Sequence, residues 1–157
     1  MRVMGVIEFE LERVVRAPVQ AVFARLVDIE GHNDWMPRRG SMLRRTRQTS
    51  PGEPTVGTTY LDETSFGPTP GEIAELEPPH TLVYHWWDRS KGGRLHLEGW
   101  PGYSLAPHGE DETLVRHHAR MVTHGIYRWA TPVLRRLAVR ERTATLEALQ
   151  ASFEPTG

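Results

Sequence analysis

The 157-residue chain contains no cysteine, which removes disulfides, thiol nucleophiles and Cys-ligated zinc together. It also lacks an excess of either charge: 19 Lys and Arg stand against 20 Asp and Glu, for a formal net charge of -1. With no basic surplus, nucleic acid is not an expected partner. No apolar run is long enough to span a bilayer. The stretch Met1 to Glu8 lacks the uninterrupted apolar core of a signal peptide, so the expected compartment is the cytoplasm. There is no phosphate loop, dinucleotide fingerprint or Ser-His-Asp spacing. Eight histidines occur, but without a His-Glu-x-x-His pattern, and the adjacent His117 and His118 point to opposite sides of a strand. Neither a metal nor an organic cofactor is expected.

What is present describes one ordinary globular domain over residues 1–157, with 38% hydrophobic and 25% charged residues. Ile7, Phe9 and Leu11 alternate with Glu8, Glu10 and Glu12, the pattern of a half-buried strand over 6–15. Pro18 opens a helix whose apolar positions are Val19, Val22, Phe23, Leu26 and Val27, and Asp28 is suited to cap a second, short one. Strands follow at about 41–49, 57–66, 71–77, 81–88, 94–105 and 112–124. Pro- and Gly-rich turns separate them, and Pro78-Pro79 is the sharpest. A long helix over about 127–153 carries Ile126, Trp129, Val133, Leu134, Leu137, Leu146, Leu149 and Phe153 as its apolar stripe. Arg135, Arg136, Arg140 and Arg142 fall mostly on other faces.

This order and its local signatures resemble the START-like (SRPBCC) superfamily, in its polyketide cyclase/dehydrase branch. The matching residues are Ala17-Pro18-Val19-Gln20-Ala21-Val22-Phe23, then Asp28 and Trp35, Val56-Gly57-Thr58, the Glu77-Pro78-Pro79 turn with Leu82-Val83-Tyr84, and Arg135-Arg136 with Leu146. The segment from Glu72 to Tyr84 is also similar to the branch named for activators of Hsp90 ATPase. The resemblance implies an α+β helix-grip fold: a curved seven-stranded antiparallel sheet around a long C-terminal helix, with two short helices after the first strand. It further implies a cavity between sheet and helix for a small hydrophobic ligand of aromatic, polyketide or lipid-like kind. Cofactor-independent cyclisation or dehydration is the chemistry it suggests. A non-catalytic carrier or sensor, and a protein-interaction module, are the alternatives.

The turns imply registers. A turn at 78–80 sets Leu76 against Leu82, Ala74 against Tyr84 and Glu72 against Trp86. A turn near Thr69 sets Phe66 against Glu72 and Asp62 against Leu76. Later turns set Trp86 against Leu97, Leu97 against Met121 and Tyr103 against Val115. The apolar face so defined holds two candidate catalytic groups. Asp62, a carboxylate that must be hydrogen-bonded, shifted or solvated there, is a candidate base. His117 is a candidate proton carrier. The structural alternatives are an Asp reaching water at a strand end and a satisfied core histidine. Expected ligand-binding residues are Tyr60, Tyr84, Trp86, Leu97, Tyr103 and Met121 on the sheet and Trp129 and Val133 on the helix. The basic cluster of Arg38, Arg39, Arg44, Arg45 and Arg47 makes an acidic carrier protein a candidate partner. A homodimer is a further candidate assembly.

Overall fold

The glutamates of the first alternating segment make β1 (Met4–Val15) a strand with one wet and one dry face. In the computed structural model, which describes residues 4–37, 39–89 and 91–155, β1 pairs antiparallel along its whole length with β7 (Thr113–His124). Between them in sequence come α1 (Val19–Val27), α2 (His32–Trp35), β2 (Leu43–Gln48), β3 (Thr59–Thr64), β4 (Gly67–Glu77), β5 (Thr81–Arg89) and β6 (Leu95–Pro107). Among the described residues seven strands form one antiparallel sheet in the order β1-β7-β6-β5-β4-β3-β2. The consecutive strands β1 and β2 therefore lie at opposite edges, and α1 and α2 carry the chain between them. A 3-10 turn (Gly125–Ala130) leads into α3 (Thr131–Ser152), which packs against the inner face. This is the helix-grip architecture. Arg38 and the first three residues, which entered the sequence reading, lie outside the described residues.

The registers correct the expected ones in two ways. Leu76 does face Leu82, but an extra residue at Ala74 shifts the ladder by one, so Tyr84 faces Ile73 and Trp86 faces Gly71. The β3–β4 turn falls at Ser65-Phe66 rather than near Thr69, with Gly67 at φ 112° completing the reversal. Asp62 consequently faces Thr69, not Leu76, and Phe66 is an exposed tip. Pro68 and Pro70 are tolerated inside β4 because that part of the strand has β3 as its one neighbour; pairing with β5 starts at Gly71. In β6 and β7 the slip is two residues: Trp86 faces Gly99, Leu97 faces Thr123 and Tyr103 faces His117. An even slip leaves every side chain on its expected face, whereas an odd one inverts it.

The helical stripe needs a larger correction. Val133 and Leu146 are thirteen residues apart, about 220° around an α-helix, so one straight helix cannot bury both. The structure buries Ala138, Thr145, Leu146 and Leu149. Residues 125–130 wind more tightly, and Pro132 sits in the first turn of α3. Ile126, Trp129 and Val133 turn outward, 79%, 75% and 60% exposed. Leu146 and Leu149 join Val15, Val22, Leu26, Leu105 and Val115 in a packed core at one end of the sheet. At the other end sheet and helix stay apart.

Candidate functional site

That separation leaves a cavity of about 500 Å³, within the roughly 300–1,000 Å³ usual for small-molecule sites. Its sheet wall includes Tyr60, Asp62, Tyr84, Trp86, Leu97, Tyr103 and Met121. Leu134, Leu137, Glu141 and Arg142 come down from α3, and His32 from α2. A second hollow of about 290 Å³ lies among Pro18, Val19, His80 and Pro107 and contains none of these groups.

Two glycines set the depth of the wall. Tyr60 pairs with Gly71 and Trp86 with Gly99 across their ladders. A Cβ on Gly71 would meet the Tyr60 ring at 2.3 Å, and one on Gly99 would meet Trp86 at 2.6 Å. Each ring therefore lies down over a bare backbone, and any larger residue would have to displace it. Tyr84 stands edge-on to Tyr60, ring centroids 5.5 Å apart, and donates its hydroxyl to Leu26 O at 2.6 Å. The same carbonyl accepts from His32 Nε2 at 2.8 Å, which leaves the lone pair of this ring on Nδ1. Burial lowers the His32 pKa to about 4, so the ring is neutral at pH 7.

The cavity has a charge arrangement of its own. Burial raises the Asp62 pKa to about 6, opposed in part by Thr46 and by the Arg142 cation. Thr46 stands directly across the ladder from Asp62, and among the described residues its buried hydroxyl has no well-aligned hydrogen-bond partner. Tyr60 and Tyr84 are pushed well above the ordinary phenol value by burial first, and Asp62 adds to this, so both remain protonated donors. Arg142 lies within electrostatic reach of Asp62, His32, Tyr60, Tyr103 and His117. Among the described residues its one side-chain hydrogen bond is donated to Thr145 Oγ1 at 3.2 Å. The guanidinium thus keeps unused donors beside the cavity. Neighbouring Glu141 is occupied, accepting from Ser41 Oγ at 2.5 Å and Met42 N at 3.1 Å, which ties the loop before β2 to α3.

Three residues of the sequence reading lie elsewhere. His117 is fully buried and outside the cavity wall, stacked on Tyr103 at 4.3 Å with its Nδ1 donating to Gly102 O at 2.8 Å. Burial and the Arg142 charge lower its pKa to about 3, and its Nε2 has no hydrogen-bond partner among the described residues. It is a neutral core histidine with a fixed tautomer. Trp129 and Val133 point to solvent, as described above. In the other direction, Arg142 and His32 were missed. Arg142 stands four residues from Ala138 and three from Thr145, both buried, and that i, i+3, i+4 relation was the available signal. His32 had no periodic context to mark it. On the convex face His85 lies diagonally across from Glu98 at 3.7 Å, with His124 on the other carboxylate oxygen at 3.4 Å. Among the described residues no group of three His, Asp or Glu side chains is placed to hold a metal ion, and no helix is long and apolar enough to cross a membrane.

Comparison with known proteins agrees with this architecture. A family model described as polyketide cyclase / dehydrase and lipid transport matches residues 6–154. No curated protein matches the sequence. Among solved structures, the Zhui aromatase/cyclase of Streptomyces sp. R1128 superposes with a TM-score of 0.77 at 14% identity, covering 94% of this chain and 93% of the other. A START superfamily protein of Mycobacterium smegmatis gives 0.67 at 15% identity over 93% and 96%. Norcoclaurine synthase of Thalictrum flavum gives 0.65 at 15% over 96% and 87%. At these identities the likeness is one of fold.

Proposed function

The chain belongs to the polyketide cyclase / dehydrase and lipid transport family, and from that premise we propose that it encloses one small, largely apolar, carbonyl-bearing molecule and carries out a cofactor-independent cyclisation or dehydration on it. The observation that carries this reading is the cavity of about 500 Å³ whose apolar wall is broken by a carboxylate with a pKa of about 6. At pH 7 Asp62 is mostly ionised, and its conjugate acid is strong enough to return the proton. It takes a proton alpha to a carbonyl. The resulting enolate carbon bonds to a second carbonyl carbon of the folded chain, and Asp62 returns its proton to the new alkoxide. Ionised again, Asp62 removes the second proton from the bonding carbon, that C–H pair becomes the C=C as the C–O bond breaks, and the departing hydroxide takes the proton from Asp62 and leaves as water. Every step is redox-neutral.

Arg142 and the Tyr60 hydroxyl are the donors for the enolate oxygen. The aromatic wall folds the substrate and excludes bulk water. A protein-interaction role of the Hsp90-activator kind predicts an interface filled by side chains, which the open cavity disfavours.

The test is a panel of aromatic and poly-carbonyl compounds, scored for binding by tryptophan fluorescence and for product by mass spectrometry. Asp62→Asn is expected to bind nearly as well as the parent while turnover falls about 10²- to 10⁴-fold. Turnover retained in Asp62→Asn removes that residue from the mechanism. Saturable binding with no product from the parent makes the protein a carrier.

A further inference from the structure

The segment from Gly125 to Arg140 contains four arginines, Arg128, Arg135, Arg136 and Arg140, and no acidic residue. Its outward face begins with Ile126, Trp129 and Val133, all more than half exposed. Val133, Arg136, Leu137 and Arg140 follow at three- and four-residue intervals on one side of α3. The Arg128 guanidinium lies 4.5 Å above the Trp129 ring. Arg135 is held back on β1, donating to Glu8 O at 3.0 Å. Arg136 and Arg140 are exposed, and neither is in an ion pair among the described residues.

A second element adds to the same surface. Phe66, at the β3–β4 hairpin tip, is 82% exposed and borders the cavity together with Tyr127, Leu134 and Leu137. Exposed apolar surface from a hairpin and a helix therefore meets around the mouth of one cavity. Exposed Arg39 and Arg44 flank Met42 and Leu43, which line the cavity, in the segment that Ser41 ties to Glu141.

We infer that this face, formed by Ile126, Trp129, Val133, Arg136 and Arg140 with Phe66, docks onto an anionic lipid surface and turns the cavity mouth toward the lipid. A tryptophan and aliphatic side chains beside arginines, with no acid among them, is the composition that settles at a headgroup boundary. Arginine stems lie along apolar surface while their charges meet lipid phosphates. A second copy of the chain fits poorly, because a symmetric contact would set Arg136 and Arg140 against their own kind. The inference goes beyond the proposed reaction and does not depend on it, since a molecule that is carried but not converted needs the same approach.

The test is co-sedimentation of the full chain with phosphatidylcholine vesicles, with and without phosphatidylglycerol, over a range of salt. Binding is expected on the phosphatidylglycerol vesicles and is expected to weaken as salt rises. Trp129→Ser with Val133→Ser is expected to lower that binding about tenfold or more. Arg136→Glu with Arg140→Glu is expected to abolish the preference for the anionic vesicles. All four positions are exposed, and coincident melting curves check that the variants fold. No sedimentation of the parent on either vesicle overturns the inference, as does equal sedimentation of the parent and both variants. A dimer in light scattering that the Trp129→Ser, Val133→Ser chain loses assigns the face to a second copy instead.

Discussion

The two halves of α3 face the same sheet and do opposite things to it. Around Thr145, Leu146 and Leu149 the helix is close enough for Leu146 and Leu149 to interlock with Val15, Leu105 and Val115. Around Leu134, Leu137 and Arg142 it stands off and roofs a cavity. The strands beneath alternate in the same way at both ends. What differs is the content of the helix and what stands under it. The packed half offers aliphatic side chains to aliphatic side chains. The open half offers a cation and a glutamate to Asp62 and to aromatic rings laid flat over glycines. Polar groups that need solvation or a ligand hold the open end apart, and stability is concentrated at the closed end.

The largest effect should come from the closed end. Leu146→Ala leaves a hole that its neighbours fill only in part, and a loss of about 3–5 kcal/mol is expected in urea denaturation. Met121→Ala, against existing empty space, should cost about 1 kcal/mol or less. Equal losses at the two sites would remove the distinction between packed and open halves.

Asp62 tests the open end with the opposite sign. The unfolded chain releases this proton near pH 3.8 and the folded one near 6. Between those values the folded state holds the proton more tightly, so stability falls as pH rises through the window and levels off above it. The ionised carboxylate then costs the fold about 2–3 kcal/mol. Asp62→Asn should therefore be more stable than the parent by about that amount at pH 8, with the gap closing below pH 4. A gap independent of pH would show that the carboxylate is not strained by burial. His32 and His117 act in reverse. Their folded values of about 4 and about 3 lie below the ordinary 6.5, so the stability they contribute is full above 6.5 and is lost as acid approaches those lower values. His117→Gln should flatten the acid limb of a pH–stability curve.

A smaller change is expected from Tyr84→Phe. The hydroxyl lost there leaves Leu26 O still accepting from His32, so a cost of about 1 kcal/mol is expected, measured as a shift in denaturation midpoint. Smallest of all, Trp129→Ser at an exposed site should change stability by within about 0.5 kcal/mol. A large loss there would mean that the outward face of α3 is buried in the folded protein.

The strand faces were legible because their period is two. Trp86, Leu97 and Tyr103 were assigned inward, and the slips of two residues in β6 and β7 could not set them on opposite sides. Tyr60 and Asp62 kept that face because the odd β3–β4 slip and the one-residue bulge at Ala74 offset each other. The bulge at Ala74 was not legible, since one extra residue in a ladder leaves no composition signal. The helix was harder. Its apolar residues span more than half its circumference, so either set could have been the buried one, and the choice decided that Arg142 faces the cavity and Trp129 does not.

The amino-acid sequence by itself determined the element order and the polar–apolar division of the sheet, because these follow from local periodicities and from where proline and glycine stop them; the helix-grip architecture was what the family resemblance implied. Tertiary structure alone decided that one end is core and the other a cavity, that His117 is sealed while Asp62 is open, and that Arg142 joins them from α3. Those outcomes depend on the phase and distance of one helix over a sheet. An apolar side chain reads the same in sequence whether it meets another side chain or empty space.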